Sequence, residues 1–99
     1  MEIYQDGIVY TLSKKQLTAI VSDCDLDLKG DIVLPSQVID NGQTYNVTAI
    51  GEQAFAFRKI QSVVIPEGVQ KIGYCAFKWC RQLADINLPR SLVSIGAQA

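Results

Sequence analysis

The sequence predicts a β-rich α/β solenoid: a right-handed coil of short parallel strands and short helical or 3-10 turns, preceded by a β-hairpin cap. The first observation is a repeated phrase, since IGEQAF, IGYCAF and IGAQA begin at Ile50, Ile72 and Ile95. The second is an apolar residue followed by proline in each unit, at Pro66 and Pro89. The third is the unit length, because units of 22 and 23 residues are too short for paired helices and fit a coil with one unit per turn.

Residues 1–46 are predicted to form a β-rich cap that contains the first rung of the coil and an inserted hairpin. The segments DGIVYTL and KKQLTAIVS have the pattern of two paired strands. GDIVLP supplies the first rung, and the hairpin that follows turns at Asn41-Gly42, which is a strong two-residue turn signal. A coil needs such a cap because its first rung otherwise exposes strand edges and core.

Residues 47–99 are predicted to hold about two complete repeats and a truncated third, in one folded unit with the cap. Strands of one parallel sheet are expected near residues 31–34, 62–65 and 85–88, and proline ends them because it cannot donate to the ladder. Side chains alternate between the two faces of a strand. The expected inward residues are Ile60, Val63, Ile65, Ile86 and Leu88, and Asp85, Asn87, Ser62 and Val64 are expected to point outward.

In each repeat a glycine directly follows the isoleucine of the repeated phrase, at Gly51, Gly73 and Gly96. Glycine there indicates either a positive φ or a close approach of two backbones. The Ala-Phe pair that follows predicts stacking of Phe55 over Phe77 in one continuous core, where full burial of such a side chain contributes about 1.5–3 kcal/mol.

The unit VQKIGYCAFKWCRQLADINLPRS, residues 69–91, resembles the BspA-like (Treponema-type) leucine-rich-repeat family. The resemblance covers about residues 47–99, and the N-terminal half resembles the cap module of such proteins. It implies a cell-surface or secreted protein of host-associated bacteria that serves adhesion or protein binding, although no binding residues transfer by motif. The first copy departs from the pattern, because Arg58 stands where Cys80 aligns.

Composition argues against several functions. The chain has 99 residues and a net charge of −1, whereas nucleic-acid binding needs clustered cations. It has no histidine, so the usual general base at neutral pH is missing. No apolar run reaches the roughly 20 residues that span a bilayer, and the first ten residues do not resemble a signal peptide. We therefore expect no catalytic, cofactor or metal site.

Two groups of side chains are nevertheless of types that can carry chemistry, the cysteines and a run of aspartates. The three cysteines, Cys24, Cys75 and Cys80, are interpreted as thiols, some of them small buried hydrophobes, with Lys78 as the nearest activator for a catalytic thiol. Alternating aspartates in SDCDLDLKGD suggest either the start of a calcium-binding loop or the solvent-exposed face of a strand. The strand is favoured because the loop lacks its glycine and glutamate. It would direct Asp23, Asp25, Asp27 and Asp31 to water, and Cys24, Leu26 and Leu28 inward.

Two patterns of predicted surface residues each allow two interpretations from the sequence. Lys59 and Arg81 take nearly equivalent places in successive repeats, with Arg58, Lys71 and Lys78 nearby, and this pattern is either a basic stripe for an acidic partner or ordinary solubilising charge. Phe57 and Trp79 also match, and they form either an exposed aromatic binding spot or a pair packed between repeats.

The candidate binding residues are the outward positions of the predicted parallel strands. On this hypothesis the protein binds a protein or host-surface ligand through that face, and the alternative is a structural spacer without a ligand. Enzymatic activity is a third and weaker hypothesis. The unfinished third repeat also predicts self-association through an uncapped C-terminal end. The candidate residues are Asp31, Val33, Ser62, Val64, Asp85 and Asn87.

Overall fold

The computed structural model describes residues 1–98, so the part of the third repeat at Ala99 lies outside the described residues. Within this range the chain forms ten strands in two sheets and no helix. The strands are β1 Glu2–Gln5, β2 Ile8–Ser13, β3 Thr18–Cys24, β4 Lys29–Val33, β5 Gln37–Asp40, β6 Gln43–Ile50, β7 Lys59–Val64, β8 Lys71–Ile72, β9 Asp85–Asn87 and β10 Ser94–Ile95.

The N-terminal part is an antiparallel β-structure, as the sequence indicates. Strands β2 and β3 form the expected hairpin, and β1 adds a further antiparallel strand that the sequence did not signal. Strands β5 and β6 form the inserted hairpin, with φ values of 51° at Asn41 and 78° at Gly42. Positive φ at both central residues is what a tight hairpin turn with the right strand twist requires.

From β6 onward, successive strands alternate between two parallel ladders. One ladder has the order β6-β8-β10 and belongs to a seven-stranded sheet, and the other is the three-stranded sheet β4-β7-β9. In the second sheet the register aligns Ile32 with Val63 and Val63 with Ile86. The predicted strand positions are therefore confirmed, whereas the right-handed coil stays a prediction.

The expected short helices are absent from residues 1–98, and two runs of turns take their place at 52–57 and 74–79. Gln53 and Phe57 have φ values of 57° and 66°, as do Cys75 and Trp79 at 57° and 62°, and left-handed residues interrupt a right-handed helix. The N–H groups of alternate residues also bond to the next repeat, as in Phe55 N–H to Ala76 O at 2.9 Å. Bonds between repeats thus replace the bonds within a helix.

The core runs between the two sheets, and the expected aromatic stack lies within it. The rings of Phe55 and Phe77 are parallel within 7°, with centroids 5.3 Å apart. Val63 and Ile65 are buried as expected, but Ile86 is 38% exposed and Leu88 is 45% exposed. Those two inward positions stay partly open because β9 is the last strand of its sheet in the described part of the chain.

The prediction for the acidic segment is partly wrong. Cys24 is buried as expected and Leu28 packs against the core, but Leu26 is 86% exposed. Strand β3 ends at Cys24, so the alternation that would turn Leu26 inward does not continue beyond it.

The repeat glycines are explained by close approach and not by φ. Positive φ among glycines occurs at other positions, whereas a Cβ on Gly73 would lie 2.7 Å from Glu52 N, and one on Gly96 would lie 2.6 Å from Tyr74 N. At Gly51 the nearest atom is Val21 O at 3.2 Å, so this corner is less tight. Gly73 and Gly96 let one repeat lie directly on the backbone of the preceding one, and Gly51 lies in the same way on cap strand β3.

Arg58 joins the cap to the repeats from a buried position, since its side chain is only 9% exposed. Its Nε donates to Asp25 O at 3.0 Å, and its two terminal nitrogens donate to Ala56 O and Cys24 O, each at 2.7 Å. A further bond reaches Asp23 Oδ1 at 2.9 Å. One side chain therefore satisfies three main-chain carbonyls on both sides of the junction.

We predict that Gly73→Ala destabilises the fold more than Gly51→Ala, because a methyl group on Gly73 would lie 2.7 Å from the main chain, whereas one on Gly51 would lie 3.2 Å from its nearest main-chain atom. Overpacking of this kind costs about 1–3 kcal/mol, and chemical denaturation measures it. Equal stabilities of the two variants would show that the repeats can separate without cost.

A second prediction concerns Arg58→Met, which keeps an apolar stem but removes all donors. We expect a loss of about 2–4 kcal/mol in the free energy of unfolding, because buried acceptors lose their partners. Asp23→Asn is the matched control and should cost less than about 1 kcal/mol, since the Asp23 side chain is 62% exposed. A stable Arg58→Met protein contradicts the proposed junction.

Candidate functional site

The six candidate residues come together in two rows across the β4-β7-β9 sheet. The first row aligns Asp31, Ser62 and Asp85, and the second aligns Val33, Val64 and Asn87. All but the half-buried Ser62 are exposed. Within each row, the sheet register thus gathers residues that are 23 to 54 positions apart in the sequence.

The two rows differ in chemistry. Ser62 Oγ donates to Asp31 Oδ1 at 2.7 Å, which leaves Asp85 as the second carboxylate of the polar row. In the neighbouring row Val33 is 73% exposed and Val64 is 39% exposed. A partner on this face therefore meets carboxylates beside an apolar strip, a combination suited to a protein surface with basic and apolar groups.

Lys29 adds a positive charge to the same sheet, and the sequence did not predict it as a candidate residue. It pairs with Lys59 in the register of β4 and β7, and both side chains are exposed. A bulge at Gln61 separates this pair from the carboxylate row. Lys29 is visible in the sequence just before Gly30. Its alignment with Lys59 could not be predicted, because the bulge shifts the register of the two strands by one residue.

The aromatic pair proves to be both stacked and exposed. The rings of Phe57 and Trp79 are parallel within 13° at 6.5 Å, yet Phe57 is 68% exposed and Trp79 is 52% exposed. The Arg81 guanidinium lies 5.3 Å from the centroid of the Trp79 ring. A cavity of about 320 Å³ opens beside them and is also lined by Lys59.

The basic stripe requires a correction at Arg58, which is buried in the cap junction and does not belong to a solvent-facing row. Lys59, Lys71 and Arg81 are exposed, whereas Lys78 is half-buried. Lys29 and Lys59 are exposed at the first residues of β4 and β7, and Arg81 lines the same cavity as Lys59.

Two of the three thiols are hydrogen-bonded to main-chain carbonyls, and Cys75 Sγ donates instead to Gln98 Oε1 at 3.7 Å. Cys24 Sγ donates to Ala54 O at 3.4 Å, and Cys80 Sγ donates to Phe55 O at 2.9 Å. Burial raises the pKa of Cys24 to about 11 even though the Arg58 guanidinium opposes the shift. Burial also raises the pKa of Cys80. These two sulfurs are neutral hydrogen-bond donors at neutral pH, whereas a reactive thiol needs a lowered pKa.

The aspartates are engaged separately and do not form a common site. Asp25 accepts from Tyr4 OH at 2.7 Å, Asp23 from Arg58, and Asp31 from Ser62. Across residues 1–98 no three Asp, Glu or Cys side chains are arranged to hold a metal ion. Within the same residues, no helix is long and apolar enough to cross a membrane.

Comparison with known proteins decides the family. The family model of the BspA type leucine-rich repeat region, which describes six copies of the repeat, matches residues 44–99. The chain belongs to the BspA-type leucine-rich repeat family. No curated protein matches its sequence.

Solved structures of leucine-rich repeat proteins resemble this BspA-type chain over most of its length. A leucine-rich repeat protein from Bacteroides capillosus is 32% identical, with a TM-score of 0.85 over 95% of this chain and 70% of that one. A leucine-rich cell surface protein from Faecalibacterium prausnitzii is 28% identical, with a TM-score of 0.83 over 97% of this chain and 26% of that one.

A third structure, a leucine-rich repeat protein from Bacteroides ovatus, is 33% identical, with a TM-score of 0.81 over 91% of this chain and 24% of that one. The BspA-type chain thus spans about a quarter of the length of two of these three proteins. The resemblance stated from the sequence is confirmed, and it extends through the cap as well as the repeats.

Proposed function

We propose that this chain is a non-enzymatic, adhesion-type interaction module of a bacterial cell-surface or secreted protein, and that it binds its partner through the β4-β7-β9 face. The observation that carries the proposal is the alignment of Asp31, Ser62 and Asp85 beside Val33, Val64 and Asn87. The similar Faecalibacterium prausnitzii structure is described as a cell surface protein, which supports the proposed location.

The architecture favours binding through this face over catalysis. A rigid sheet presents several side chains at fixed strand spacings of about 4.8 Å, which suits recognition of another protein. Acyl transfer or hydrolysis needs an activated nucleophile and its base, and the two thiols whose pKa is raised, Cys24 and Cys80, are hydrogen-bonded to carbonyls instead. We further propose that the two parallel ladders form a right-handed coil, as connections between parallel strands nearly always do.

The strand face can be tested with Val64→Arg/Asn87→Arg. The two long cations should remove binding to the partner by blocking the apolar row, while the free energy of unfolding changes by less than about 0.5 kcal/mol, as for most surface substitutions. Binding is measured by surface plasmon resonance against purified extracellular-matrix and mucosal proteins, and stability by thermal melting.

The matched control is Gln70→Arg/Ser94→Arg, which adds the same charge at exposed positions next to or within the other parallel ladder. It should bind as the unmodified protein does. Normal binding by Val64→Arg/Asn87→Arg removes this face from consideration. If the unmodified protein binds no member of the panel, the spacer alternative is favoured.

We also propose that a second copy associates with the end of the molecule formed by β9 and β10. Each of these strands has one edge without a partner among residues 1–98, and unpaired edges favour pairing with another chain. Apolar side chains exposed at this end add to the tendency; they are Ile86, Leu88, Val93 and Ile95.

Sedimentation velocity tests the association. The unmodified chain should form dimers at high concentration, and Ile95→Lys should return it to the monomer because a charge then occupies the exposed apolar end. Leu26→Lys is the control, since Leu26 is also an exposed apolar residue but lies between β3 and β4. A chain that stays monomeric at all concentrations contradicts the proposal.

A further inference from the structure

One side of strand β4 has no strand beside it. β4 pairs with β7 along one edge, and the sheet order β4-β7-β9 leaves its other edge at the border of the sheet. Among residues 1–98 no backbone hydrogen bond reaches that outer edge. Proteins commonly cover or shorten such edges, because they are templates for an added strand.

The backbone groups that face outward can be assigned. Leu34 N–H donates to Val64 O at 3.0 Å, so Leu34 directs its main-chain groups toward β7. Because these groups alternate along a strand, Ile32 also faces β7. Asp31 and Val33 therefore present their N–H and C=O groups to the open edge. Two donors and two acceptors are available there at the spacing of a strand.

A groove runs along this edge, with a volume of about 540 Å³. Buried Ile8, Tyr10 and Val38 are among the apolar side chains that line it, and the turn between β1 and β2 and strand β5 also contribute residues. Gln5 Nε2 donates to Ile39 O at 2.8 Å and links the end of β1 to β5. The open edge thus lies beside an apolar recess, which can accept the inward side chains of an added strand.

Charge decides which kind of strand fits. Asp6 and Asp31 line the groove, and no lysine or arginine is among the lining residues that the structure describes. An occupant with basic side chains on its outward face is complementary to these two carboxylates. In an extended segment alternate side chains face opposite sides, so its apolar residues enter the recess while its basic residues meet Asp31 and Asp6.

We infer that the outer edge of β4 and the groove beside it bind an extended segment of a partner protein with alternating apolar and basic residues, which adds a strand to the sheet. This inference rests on the proposed function, because it names the mode of binding at the border of the same face. Main-chain hydrogen bonds supply affinity in this mode, and the recess supplies specificity.

The test uses a synthetic peptide of alternating valine and lysine that is slightly longer than the 5 residues of β4. Hydrogen exchange of the ¹⁵N-labelled chain reads out the amides of Asp31 and Val33. We expect the peptide to protect both amides, and we expect the same peptide with glutamate in place of lysine to protect neither. Unchanged exchange at both amides with the lysine peptide overturns the inference.

Val33→Pro removes a donor that the fold does not use, and proline is tolerated at a strand edge that faces away from its partner. It should bind the peptide about tenfold or more weakly than Val33→Ala, which loses the same apolar side chain but keeps the donor, and this difference corresponds to about one lost hydrogen bond. Equal binding by the two variants contradicts strand addition.

If Val33→Pro does not fold, a peptide that is N-methylated at alternate residues provides the same test from the ligand side and should not bind. Asp6→Asn/Asp31→Asn should reduce both the affinity and its dependence on salt. Protection of Asp31 and Val33 that rises with protein concentration in the absence of peptide would assign the edge to a second copy and overturn the inference.

The outcome is separable from that of the proposed function. Val64→Arg/Asn87→Arg leaves β4 unchanged, so the alternating peptide should still protect the amides of Asp31 and Val33, but with a lower affinity because one added cation stands opposite Val33 in the register. If the unmodified chain does not bind the peptide, but Val64→Arg/Asn87→Arg removes binding to the protein partner, the proposed binding face is supported and strand addition at the β4 edge is contradicted. If the chain binds the peptide but no protein of the panel, strand addition is supported and the proposed binding through the strand face is not.

Discussion

The structure depends on the close approach of each repeat to the one before it. Main-chain hydrogen bonds fix that distance, because the N–H groups of Gln53, Phe55 and Phe57 bond to carbonyls one repeat further along, at 2.9 to 3.1 Å. The corner glycines permit it, since a methyl group at Gly73 or Gly96 would collide with the neighbouring backbone. The ring separation of 5.3 Å between Phe55 and Phe77 follows from the same spacing.

That spacing also creates the candidate binding face. Once the repeats stack at the separation of paired strands, equivalent residues of successive repeats align, and Ser62 comes between Asp31 and Asp85. The same alignment places Phe57 beside Trp79 on the surface, where Arg81 lies over the indole ring. Side chains that differ between repeats on such a rigid frame determine the chemistry of each row.

The cap treats the two sheets of the first repeat differently, because it extends one of them and leaves the edge of the other unpaired. On one side β3 continues the parallel ladder by pairing with β6, and Arg58 bonds to carbonyls of the cap where the next repeat has only a thiol. The departure of Arg58 from the repeat pattern is thus explained by the junction that it holds together. On the other side β4 begins the second sheet without a strand beside it, which leaves one edge available.

Sequence alone determined the repeat, its family, the positions of the parallel strands and the pair Phe55–Phe77, because period and alternation act over short distances and recur in each unit. It did not determine the local form of the turns, since Gln53 and Phe57 adopt positive φ only where bonds to the next repeat compensate the strain. Nor did it reveal the burial of Arg58 or the open side of β4. Those features depend on which segment of a distant part of the chain packs against them, and only the tertiary structure decides that.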